Sequence, residues 1–195
     1  MIDDFLPGRI LSGLLDHTQL NQGAFHPSTV RYDGKSDRQV APDSRLSLCC
    51  SEGLGPYEEA FTKEIHAHLD HFFKALGVPP FEVARTELEL IAHGDGGFFE
   101  PHIDIFTEGG RANADSDRLL SAVFYFYHEP KRFTGGELVF YPFAEDAGLE
   151  VLKPLQNRLV VFPSFAPHEV RKISCTGNEF RDSRFSINCW LHRGR

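Results

Sequence analysis

Apolar positions follow two rhythms along the chain. From residue 9 to about 22, Ile10, Leu11, Leu14 and Leu15 recur at helical spacing and predict a short amphipathic helix. Residues 26–52 mix Pro, Gly, Asp and Ser, which suits irregular chain or short strands. A longer helix is predicted over 56–76. Pro56 fits a first turn, Phe61, Ile65, Leu69, Phe72, Phe73 and Leu76 form one stripe, and Gly77 with Pro79 stops it. His66, His68 and His71 do not share a face at i, i+4 spacing and read as solvated.

After Pro80 the rhythm shortens to that of strands. ELELIA, LLSAVFYFY, GELVFYP, RLVVFP, HEVRKI and RFSINCWLH are β-branched or aromatic runs separated by turn chemistry. With the segment around HID and a short LEVL piece they make about eight strands, the number a jelly roll uses. The predicted fold class is α+β in a single domain over 1–195. Residues 1–84 form a helical N-terminal support, and 85–192 form the β core.

Composition narrows the partners. The 195 residues are 41% hydrophobic and 12% aromatic, with eighteen phenylalanines, so one sizeable aromatic core is expected. A net charge of −8 without a Lys/Arg run argues against a nucleic-acid partner. The acidic start lacks a basic leader or long apolar run, so no membrane span or secretory signal is expected. Cys49, Cys50, Cys175 and Cys189 show no C-x-x-C spacing and read as buried thiols of a cytoplasmic protein. The basic ending HRGR reads as a solvated tail.

Candidate chemistry centres on residues 96–106, GGFFEPHIDIF. If this is a strand, His102 and Asp104 point to one face. A carboxylate among such apolar neighbours is costly without a partner, and a metal ion is one partner that removes the cost. His168, which opens HEVRKI after FPSFAP, is the best third ligand; His93 and His128 are rivals. Two histidines and a carboxylate form the facial triad of non-haem Fe(II) oxygenases. In RFSINCW, Arg184, Ser186, Asn188 and Trp190 alternate to one face, and a guanidinium there would grip a carboxylate through two parallel hydrogen bonds. Tyr125 shares a face with Val123 and Ser121 and offers a phenolic hydrogen bond to the same group.

In order, HID, RLLSAVFYFY, GGELVFY, NRLVVFPSFAPHEV and RFSINCW resemble the prolyl 4-hydroxylase-like group of Fe(II)- and 2-oxoglutarate-dependent dioxygenases, over roughly 85–192. The resemblance implies a double-stranded β-helix (jelly roll) with packed N-terminal helices. It implies His102, Asp104 and His168 as catalytic iron ligands, and Arg184 with Tyr125 as the anchor for 2-oxoglutarate. Arg118 matches a position near the substrate entrance, and Trp190 is placed with it on the substrate side. The implied reaction is hydroxylation of an unactivated C–H bond, with O2 consumed, succinate and CO2 released, and L-ascorbate as helper. A prolyl residue in a peptide or protein, or a free amino acid, is the implied substrate.

Two departures stand out. The segment between His168 and Arg184 is longer than usual, so Lys172 and Arg181 are rivals for the carboxylate clamp, although strand parity favours Arg184. Where relatives often carry a tyrosine before the glycine turn, this chain has Ala92-His93. Residues 31–47 are a candidate lid. A zinc-dependent hydrolase and a catalytically silent jelly-roll binding module are the alternatives.

Overall fold

The computed structural model describes residues 1–30, 39–105, 115–144, 148–177 and 179–195. Helix α1 (Gly8–Leu20) answers the first apolar rhythm. The stripe predicted over 56–76 breaks in two, α2 (Glu58–Ala67) and α3 (Leu69–Leu76), after a short 3-10 turn that holds Pro56. The break has a local cause. The His68 ring takes the Glu64 carbonyl at 2.8 Å through Nδ1, while the His68 backbone N–H turns to the nearer Ile65 carbonyl. That tightens the chain for one residue. Gly77, at φ 64°, closes α3 in the left-handed conformation that glycine adopts without penalty.

The strands are β1 (Phe25–Pro27), β2 (Arg45–Leu46), β3 (Leu48–Cys50), β4 (Val83–His93), β5 (Phe98–His102), β6 (Ser116–Phe126) and β7 (Phe133–Gly135). They continue with β8 (Leu138–Phe140), β9 (Glu150–Leu152), β10 (Arg158–Pro163), β11 (His168–Val170), β12 (Ile173–Cys175) and β13 (Arg184–Gly194). One antiparallel sheet runs β1-β3-β4-β13-β6-β10 and a second runs β2-β5-β11-β8-β9; β7 and β12 pair apart. The fold is thus mixed α and β, with mostly antiparallel sheets and a few helices.

Two apolar layers follow from strand alternation. One face of the larger sheet packs on the helices: Phe61, fully buried, meets Phe124 with ring centroids 5.8 Å apart, beside Leu14, Ile65 and Phe72. Burying a side chain of that size contributes about 2–3 kcal/mol. The opposite face turns Tyr125, Val160 and Phe162 toward Leu138 of the second sheet, with Phe140 and Val170 packed alongside. Between the sheets lies the pocket.

Three further sequence expectations are corrected. HEVRKI is two strands, β11 and β12, divided at Arg171 and Lys172. The ending HRGR is not a tail: β13 runs to Gly194, and His192 is wholly buried. β5 stops at His102, so Asp104 lies beyond the strand. Residues 31–38 of the candidate lid lie outside the described residues. The chain on either side is joined by paired hydrogen bonds between Val30 and Gln39, at 2.9 and 3.0 Å. No helix among the described residues is long and apolar enough to cross a membrane. The four cysteines are thiols, none in a disulfide.

Candidate metal and oxoacid site

His102 and His168 sit directly opposite each other on paired strands β5 and β11. Their ring centroids are 4.2 Å apart. The turn into β5 needs Gly96 at φ 76°, a conformation open to glycine. Asp104 reaches the same point by a different route. Its backbone N–H donates to the Ser164 carbonyl at 2.9 Å, which folds the chain back just past the end of β5. Ile103 and Ile105 are left largely solvent-facing, on the outer side.

The result is a cluster whose ligand atoms all lie within 4.8 Å of one another. His102 Nε2 is 3.8 Å from Asp104 Oδ1, and His168 Nε2 is 3.8 Å from Oδ2. Each ring turns Nδ1 to a backbone carbonyl, Glu100 at 2.8 Å and Ala166 at 2.9 Å. A carbonyl only accepts, so Nδ1 carries the proton and Nε2 of each neutral ring presents a lone pair to the cluster. Burial, then the nearby His168, holds His102 down to about 4 against the pull of Asp104. Asp104 lies below the ordinary carboxylate range. Burial opposes its ionisation, but the two histidines, the Ser121 hydroxyl and Arg118 outweigh it.

Strand spacing puts Ser121 on the face of Tyr125, and the folded chain gives it a partner that spacing does not show. Its hydroxyl donates to Asp104 Oδ2 at 2.6 Å and accepts from the Ser164 hydroxyl at 2.9 Å. Arg118 also serves this end. It donates to the Asp104 carbonyl at 3.2 Å, grips Glu87 with two nitrogens at 2.8 and 3.1 Å, and lies 4.0 Å over the Trp190 ring. Phe99 stacks on His102 with centroids 3.6 Å apart, and the guanidinium of Arg45 lies 4.8 Å from the centre of the same Phe99 ring.

The opposite end of the pocket belongs to Arg184 and His93, cross-strand neighbours on β13 and β4. Arg184 is 1% exposed, and its alternates Asn188 and Trp190 line the same pocket as parity required. Lys172 and Arg181, the rival clamps, are exposed. Tyr125 is fully buried with the Arg184 guanidinium 5.1 Å from its ring centre, and burial pushes its phenol up to about 12. It therefore remains a hydroxyl donor. The Tyr125 hydroxyl, Arg184 Nε, Ser186 Oγ and His93 Nε2 are buried without a hydrogen-bond partner among the described residues. Among the described residues, neither His93 nor His128, whose ring packs edge-on against Phe185, joins the cluster of His102, Asp104 and His168.

The sequence model of the 2OG-Fe(II) oxygenase superfamily matches residues 88–192, and this chain belongs to that superfamily. An uncharacterized PKHD-type hydroxylase of Synechocystis is 34% identical over 138 residues, 67% of this chain and 44% of that protein, so the match spans less than half of the relative's length. A prolyl-4-hydroxylase from Pseudomonas putida superposes with a TM-score of 0.66 at 22% identity, over 98% of this chain and 90% of that one. A prolyl hydroxylase from Trichoplax adhaerens, solved with a hypoxia inducible factor peptide fragment, gives 0.66 at 19%, over 97% and 81%. At these identities the likeness establishes the fold.

Proposed function

We propose that this chain is an Fe(II)- and 2-oxoglutarate-dependent hydroxylase, a single domain with a double-stranded β-helix core. His102, Asp104 and His168 are its iron ligands, and Arg184 and Tyr125 anchor the oxoacid. One observation carries the reading: the pocket is polarised. At one end, two imidazole lone pairs and a carboxylate converge, a set of acceptors that fits a cation. At the other end Arg184 and His93 line the pocket, with the buried Tyr125 hydroxyl and Ser186 Oγ beside them, a set of donors that fits an anion. A metal-chelating dicarboxylate satisfies both ends at once.

Bound Fe(II) with 2-oxoglutarate supplies the oxidising power: O2 is consumed, the oxoacid leaves as succinate and CO2, and a C–H bond becomes C–OH. The protein's part is to hold and orient. The Glu100 and Ala166 carbonyls fix both imidazole tautomers, and Ser121 with Ser164 fixes the Asp104 carboxylate. Arg184 and Tyr125 hold the far carboxylate away from water. Trp190 forms the substrate wall, with Arg118 stacked behind it as its support. A zinc hydrolase would use the acceptors and leave the buried donors without a purpose.

The substrate is a prolyl residue in a peptide or protein, or a free amino acid, in keeping with the hydroxylases this chain resembles. L-ascorbate is a helper. The test is anaerobic addition of Fe(II) and 2-oxoglutarate, followed by air. A weak visible charge-transfer band and then succinate are expected. Neither band nor succinate would reject the reading.

A further inference from the structure

Among the buried donors, His93 is the one with two jobs available. It sits on β4 opposite Arg184, 3% exposed, and lines the pocket. Arg184 Nη2 lies 2.8 Å from His93 Nδ1, and Nη1 donates to the Gly136 carbonyl at 3.0 Å. A guanidinium has no acceptor, so Nδ1 must accept and the His93 proton must be on Nε2. That Nε2–H is buried and has no partner among the described residues. An unmet donor in such a place is costly, and a ligand acceptor is what would meet it. Arg184 Nε, the Tyr125 hydroxyl and Ser186 Oγ share the condition. Ser186 lies two residues from Arg184 on β13 and opposite Tyr125 on β6, so these groups are neighbours.

We infer that His93 is a positioning residue of the oxoacid site, bracing the Arg184 guanidinium through Nδ1 and donating its Nε2–H to the carboxylate that Arg184 binds. The inference rests on the function proposed above and extends it to a residue outside the metal triad and the Arg184–Tyr125 pair. Its chemistry is self-consistent. Burial first, then the charges of Arg184 and Arg45, hold the ring well below 6.5, so no second cation stands against the guanidinium. Two corners of Arg184 are thereby held by protein, by Gly136 and His93, and Nε remains for the ligand. A side chain with an acceptor and a donor on separate corners does this; an apolar one of similar size does neither.

The experiment compares two oxoacids of equal chain length on the full, Fe(II)-loaded protein without oxygen, following the charge-transfer band. 2-Oxoglutarate carries the distal carboxylate; 2-oxovalerate ends in a methyl group. His93→Met is expected to raise the 2-oxoglutarate Kd by about tenfold or more, the scale of a lost hydrogen bond to a charged group. The 2-oxovalerate Kd should stay within about twofold, because that acid has no anchor to lose. His93→Gln, nearly the same size as Met but with an acceptor and a donor, should recover most of the 2-oxoglutarate affinity. If His93→Met fails to fold, His93→Phe takes its place. An unchanged 2-oxoglutarate Kd, an equal loss for both acids, or a Gln variant as weak as Met overturns the inference. A parent protein with no band for 2-oxoglutarate rejects the oxygenase reading itself, a different outcome from a parent with a band and an indifferent His93.

Discussion

The two ends of the pocket are built on opposite plans. At the metal end the atoms that do not face the ligand are already bonded: both Nδ1 groups to backbone carbonyls, and one carboxylate oxygen to a serine. Acceptors alone are left facing inward. At the oxoacid end burial is deeper, and four side-chain polar atoms have no partner among the described residues. The contrast teaches where the protein has spent its own hydrogen bonds and where it waits for a ligand's. An atom already bonded sets geometry; a buried unbonded one states what the ligand must supply.

Breaking the metal end should have the largest effect. Asp104→Ala removes the only carboxylate of the triad, and metal retention after desalting and succinate formation should each fall by more than about a hundredfold, since the ion's contribution is several kcal/mol. A variant that keeps its iron would move the metal site elsewhere. Next comes the opposite end. Arg184→Ala should leave metal content alone and raise the 2-oxoglutarate concentration for half-saturation by about tenfold to a hundredfold. Arg184→Lys should recover part of this, because a point charge cannot reproduce the planar fork. A parent-like response would reassign the clamp.

Ser121→Ala sharpens the comparison from within the metal end. Losing the 2.6 Å bond to Asp104 frees the carboxylate to swing, and metal affinity should drop by about tenfold while the chain stays folded. Metal titration checks this, and an unchanged affinity would make the serine pair incidental. The smallest effect is on stability. Burial works against the Glu87 carboxylate, but His192, Arg118 and Arg85 hold it down to about 2 from 4.5. A lowered carboxyl stabilises the fold above its unfolded value and loses that contribution as pH falls. The stability gap between the parent and Glu87→Gln should therefore shrink between pH 4.5 and 2. The gap is at most about 3 kcal/mol, and less with solvent screening. Urea melts across that range measure it, and a gap independent of pH would sink the assignment.

Much of this site was legible along the chain, for reasons that differ by residue. Arg184, Asn188 and Trp190 line the pocket because strand alternation is a local rule, and local rules can be read from spacing. His102 and Asp104 were paired correctly on an incomplete ground. The strand ends between them, and the Ser164 carbonyl, sixty residues on in the fold's second pass, turns Asp104 inward. Ser121 was seen on the right face without its partner. His93 and His192 were invisible as what they are, because the Arg184 and Glu87 that define them lie about a hundred residues away in sequence. The break at His68 was missed because a side chain competing for one carbonyl leaves no mark on the apolar stripe.

From the order of residues alone came the helices, the strand-rich core, the three residues of the His–Asp–His cluster and the arginine across the pocket from them. These depend on periodicity, turn chemistry and motif order, all carried by near neighbours. Only the folded chain decided which nitrogen of each histidine holds the proton, what orients Asp104, and which buried donors lack a partner. Those are properties of atoms brought together from distant strands, and hydrogen bonding acts over a few ångströms in space, whatever the distance along the chain.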